Sequence, residues 1–108
     1  MRDVNQKDDN GMTPLHHAAR VGDLSCVQLL LDRGATLDPQ DNDGKTPMMT
    51  ATINDQPKIV QILFERGANA ILQDKSGKTA HQIANEGNHG SVLAIFYMKT
   101  GVGRKWGK

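Results

Sequence analysis

Cysteine is almost missing from this chain of 108 residues: Cys26 stands alone, so no internal disulfide can form and a reducing compartment is compatible. Its place among the apolar Leu24, Val27, Leu29, Leu30 and Leu31 reads as a small core side chain, not a nucleophile. No apolar stretch approaches the ~20 residues of a membrane-spanning helix. Met1-Arg2-Asp3-Val4-Asn5 also lacks the apolar core of a signal peptide, so the sequence reads as soluble and unexported, with an intracellular and cytoplasmic location expected. Aromatics make up only 4%, while 37% hydrophobic and 23% charged residues are ordinary globular values that suit one core-bearing unit.

Groups arranged for chemistry are equally scarce. His16 and His17 are adjacent, hence about 100° apart on a helix, and no histidine pair has the three- or four-residue spacing of metal ligands on one helix face. Ser25, Ser76 and Ser91 have no convincing base and orienting partner. Gly44-Lys45-Thr46 and Gly77-Lys78-Thr79 look like the end of a phosphate-binding loop, but the glycine required five positions earlier is Pro39 in one case and Leu72 in the other. The expectation is therefore a non-enzyme with no catalytic residues, no cofactor and no metal.

Charge is nearly balanced at +1, and that balance hides an asymmetry. Residues 1–55 hold five Lys/Arg against nine Asp/Glu, whereas residues 56–108 hold eight against three. The tail Arg104-Lys105-Trp106-Gly107-Lys108 is the one basic-plus-aromatic cluster. It is too short and unpatterned to make nucleic acid or an anionic membrane the expected partner.

What the chain does have is a period of 33 residues: Gly11-Met12-Thr13-Pro14, Gly44-Lys45-Thr46-Pro47 and Gly77-Lys78-Thr79-Ala80 occupy equivalent places. Asp8, Asp41 and Asp74 stand three residues ahead of those glycines. Thr13 and Thr46 suit N-caps, with proline at the first helical position. A first helix is predicted from about Pro14 to Val21, ending at Gly22, and a second from about Leu24 to Arg33, ending at Gly34. The second helices are apolar around much of their girth, so neighbouring hairpins must cover them. Leu30 is a predicted core residue on this reading.

The segment 8–19 followed by Leu29-Leu30-Leu31-Asp32-Arg33-Gly34-Ala35 resembles the ankyrin repeat. The resemblance implies an all-α solenoid of stacked helix-turn-helix hairpins with projecting β-hairpin-like loops, or fingers. The register gives repeats at 8–40, 41–73 and 74–100, a partial preceding finger at 1–7, and a basic tail at 101–108. The opening on a partial finger suggests either a piece of a longer array or a protein that begins on a half-repeat. Met49 replaces the motif histidine in the second repeat, so that repeat's turn is expected to be held less tightly. The third repeat looks like a polar capping unit, although Val92-Leu93-Ala94-Ile95-Phe96-Tyr97 is unbroken apolar sequence that the tail, a second chain or downstream sequence should partly cover.

The resemblance also implies a non-catalytic module that binds a protein partner on a concave surface built from finger tips and first helices. Its contact positions transfer by register to Asp9, Asn10, Met12, Arg20 and Val21, then Asn42, Asp43, Lys45, Ile53 and Asn54, then Lys75, Ser76, Lys78, Glu86 and Gly87. Met12, Val21 and Ile53 are apolar where a solvated face has no stability reason to carry such residues. The protein is expected to be a monomer or to associate weakly through its exposed ends. The alternative is a regulatory or substrate-recruiting segment of a larger enzyme, such as a kinase, ubiquitin ligase or membrane acyltransferase.

Overall fold

The first five helices start at threonine or aspartate caps or at a proline, and a residue with left-handed backbone follows each. In the computed structural model, which describes residues 3–100, the helices are α1 (Pro14–Val21), α2 (Leu24–Asp32), α3 (Pro47–Ile53), α4 (Pro57–Glu65), α5 (Ala80–Glu86) and α6 (Gly90–Thr100). Thr13, Thr46 and Thr79 cap α1, α3 and α5, each hydroxyl accepting the backbone N–H three residues on. His16 and Gln82 close reciprocal capping boxes on Thr13 and Thr79. Met49 has no group to do so.

Each first helix then turns sharply into its second. Gly22 takes φ 79° there, and the equivalent Asp55 and Asn88 take φ 53° and 55°, a conformation that Asp and Asn tolerate better than most side chains. Asp23 caps α2 through the N–H of Cys26. In α4 the corresponding Gln56 instead reaches back to donate to the Arg20 carbonyl, and Pro57 supplies the helix start.

The helices form two layers. α1, α3 and α5 pack side by side in one, α2, α4 and α6 in the other, and each hairpin joins the layers. Small residues let the first layer close up: Ala18, Ala19, Ala51 and Ala84 are all buried. Leu15, Met48, Val27, Ile59, Val60, Leu63, Val92 and Phe96 fill the space between layers. Phe64 meets Phe96 edge-on at a centroid distance of 5.0 Å.

Position in the stack decides how much of each second helix is covered. In α4, Ile59, Val60, Ile62 and Leu63 are all buried by neighbours on both sides. In α2 only Val27 is fully buried; Cys26, Leu30 and Leu31 are half-buried and Leu29 is exposed. The expectation that Leu30 is full core is therefore corrected: its repeat equivalent Leu63 has that role, because Leu63 has a hairpin on its N-terminal side. In α6, Val92 and Phe96 are buried while Leu93, Ile95 and Tyr97 stay half-buried. The proposed cover by 101–108 lies outside the described residues. α5 carries His81, Gln82 and Asn85 where α1 has the buried Leu15, His16 and Ala19, so the outward side of this hairpin is polar. The His81 Nε2 is buried without a hydrogen-bond partner among the described residues, and its ring lies 5.4 Å from that of Phe96.

Candidate protein-binding groove

Three aspartates build the fingers. One carboxylate oxygen of Asp8 accepts the N–H groups of Asn10 and Met12, that of Asp41 those of Asp43 and Lys45, and that of Asp74 those of Ser76 and Lys78, all at 2.8–3.0 Å. The aspartate N–H groups donate in return to the carbonyls of Met12, Lys45 and Lys78 at 2.9 Å. Each finger is thereby a closed loop with its tip residues fixed. Burial works to raise the Asp74 carboxyl, but the donors on Lys78, Lys45 and Ser76 outweigh it and hold the group below its ordinary 3.8.

Adjacent fingers are tied edge to edge. The N–H of Asn42 donates to the Asn10 carbonyl and the N–H of Lys75 to the Asp43 carbonyl, both at 3.0 Å. A Cβ on Gly44 would sit 2.8 Å from the Lys75 nitrogen, so that close approach depends on glycine. His16, fully buried, accepts the Thr13 N–H at Nδ1 and donates from Nε2 to the Lys45 carbonyl at 2.8 Å. The second finger is thus the one held by a histidine, contrary to the expectation of a looser second turn: the histidine acts on the finger of the next repeat. Met49 leaves the third finger without that bond, and Lys45 reaches Asp74 at 3.3 Å instead.

The positions transferred by register line the angle between fingers and first helices. Asp9, Asn10, Asn42, Asp43, Lys75 and Ser76 are exposed at the tips; Met12, Lys45 and Lys78 are half-buried at the finger bases. On the helices Arg20, Asn54, Glu86 and Gly87 are exposed, Val21 is 65% exposed and Ile53 42%. Val21 and Ile53 therefore offer apolar surface to solvent, Val21 more than Ile53, whereas Met12 is half-covered.

Charges across this groove are unevenly spent. In the third repeat Lys78 bridges to Glu86 at 2.7 Å, and this bond raises the lysine above its ordinary 10.5. In the first, His17 bonds Asp8 at 2.8 Å, which holds the carboxyl below its ordinary 3.8, and the other ring nitrogen meets Arg20 at 3.4 Å. The second-repeat equivalents of Lys78 and Glu86 are Lys45 and Ile53, and Lys45 turns away to Asp74. The groove is closed by a polar tie at each end and open over Ile53. His17 and Asp8 were not among the transferred positions; no local signal joins two residues nine apart across a finger and a helix.

No cluster of three or more His, Cys, Asp or Glu among the described residues is arranged to hold a metal ion. No helix among them is long and apolar enough to cross a membrane. A sequence model of the ankyrin repeat, in three copies, matches residues 1–74. The chain belongs to the ankyrin-repeat family. Ankyrin repeats are non-catalytic modules that generally bind protein partners, and α5 and α6 continue the same hairpin beyond the matched stretch.

Two curated relatives are proteins of Oryza sativa subsp. japonica. "Probable E3 ubiquitin-protein ligase XBOS32" is 65% identical over 34 residues, which are 32% of this chain and 7% of that protein. "E3 ubiquitin-protein ligase XB3" is 62% identical over 34 residues, 32% of this chain and 8% of that protein. The similarity spans about one repeat and less than a tenth of either ligase.

Proposed function

We propose that this ankyrin chain binds a protein partner in the groove between its fingers and first helices, with the centre of contact over Ile53. The observation that carries this reading is the exposed pair Val21 and Ile53, beside the half-buried Met12, on a face that is otherwise polar. Interfaces are commonly composed of an apolar centre inside a polar rim. The test is the double variant Ile53→Asp/Arg20→Glu. Crosslinking mass spectrometry on the wild-type chain identifies the partner, and its affinity is then measured for both proteins. Loss of binding with little change in melting temperature is expected. Unchanged affinity would move the site elsewhere, and an unfolded variant would assign Ile53 to the core.

A second reading is a recruiting segment within a larger enzyme. The likeness to two E3 ubiquitin-protein ligases over one repeat supports it. Co-purification of the partner in ubiquitin-modified form, lost with the same double variant, would support this reading over a free-standing adaptor.

A further inference from the structure

Among the described residues, Arg20 is the cation on the groove floor that no carboxylate pairs with. Lys45 is bound to Asp74 and Lys78 to Glu86, whereas the only bond of the exposed Arg20 guanidinium among the described residues is the 3.4 Å contact to His17. Asp8 sets that contact: its carboxylate accepts from Nε2 of His17 and leaves the Nδ1 lone pair for an arginine N–H. The guanidinium is therefore steered onto the floor by a ring nitrogen, with most of its five donors unused among the described residues.

Ile53 stands one repeat further along, in the same register on α3 as Arg20 on α1, and those helices pack directly, with roughly 8–10 Å expected between their axes. Val21 follows Arg20 on α1 and is the most exposed apolar residue of the floor. A planar fork beside an uncovered apolar patch has a definite chemical complement, since arginine takes a carboxylate through two parallel N–H···O bonds. The acidic tips Asp9 and Asp43 repel a carboxylate from the rim of the first two repeats and so favour its placement on the floor beside Arg20, whereas the third tip carries Lys75.

From this arrangement we infer that the partner presents an acidic side chain to Arg20 and, a few residues away on the same extended segment, an apolar side chain to Ile53 and Val21. The inference rests on the proposed groove and adds the chemistry that the groove selects. Asp8 and His17 are positioning residues that hold the arginine.

The test uses the full chain against a displayed library of random short peptides. On the wild-type protein, enriched peptides carry Asp or Glu at one fixed spacing from Leu, Ile, Val or Phe. Arg20→Glu exchanges the acidic preference for Lys or Arg at that position, and Arg20→Ala weakens a synthetic enriched peptide about tenfold or more. Circular dichroism melting checks that both variants remain folded; Arg20 is exposed, so they tolerate the change. Enrichment that disappears with Ile53→Asp but shows no acidic position, or survives Arg20→Glu unaltered, overturns this inference and leaves the groove standing. No enrichment on the wild type, or enrichment indifferent to Ile53→Asp, overturns the groove and this inference together.

Discussion

The His16 imidazole donates to the Lys45 carbonyl 29 residues away and thereby fastens the first hairpin to the second finger. Burial holds this ring below its ordinary value of 6.5, outweighing the bond to Lys45, which pulls the other way. The folded state thus resists protonation at pH values where the unfolded chain accepts it. The stability tied to neutral His16 is complete above about pH 6.5 and is lost as pH falls toward the folded-state value. His16→Met, the residue its repeat equivalent carries naturally, should cost about 1–3 kcal/mol at pH 7 because the Lys45 carbonyl loses its donor. Urea denaturation at pH 7 and pH 5 checks both points. The wild type should lose stability between them by more than the variant does, and equal losses would show that another group titrates.

Leu63 and Leu30 are repeat equivalents with different surroundings. Leu63→Ala should cost about 2–5 kcal/mol, the range for a cavity in a closed core. Leu30→Ala should cost clearly less, since solvent already reaches that side chain. Equal midpoint shifts in denaturant would mean that Leu30 is covered to the same degree as Leu63.

Gly44 and Gly77 both take left-handed backbone angles, φ 79° and 83°, but only Gly44 has backbone against it. Gly77→Ala should cost about 1–2 kcal/mol for the conformation alone. Gly44→Ala should cost more, because the new Cβ would also push away the Lys75 nitrogen that donates to Asp43. Amide exchange of Lys75 reports the broken contact directly. A protected Lys75 amide in Gly44→Ala would rule out that account.

Much of this architecture was legible locally. α1 runs from Pro14 to Val21 and stops at Gly22 as its cap residues dictate, and the finger aspartates bind the turn amides that their spacing offered. What was not legible depends on neighbours in space. Periodicity assigns Leu30 and Leu63 the same face, and only the stack reveals that, among the described residues, Leu63 has a hairpin on both sides and Leu30 on one. The missing histidine of the second repeat suggests a looser turn in that same repeat, whereas the bond of His16 shows that such a histidine holds the finger of the next one. Among the transferred groove positions, Lys45, Lys78 and Glu86 spend their charge on partners within the chain, while Arg20, Val21 and Ile53 remain open. Sequence spacing does not distinguish these two groups.

Between successive fingers run several ties per junction: Asn42 donates from its backbone to Asn10 and from its side chain to the Asp9 carbonyl, and Lys75 donates to Asp43 while Lys45 reaches Asp74. One neutral bond contributes about 1 kcal/mol net, so their sum keeps the fingers in register above helical layers locked by buried side chains. Both walls of the groove are therefore built before any partner arrives. A site of this kind loses little freedom on binding, and its affinity is set by the fit of the contacts and not by the ordering of the receptor.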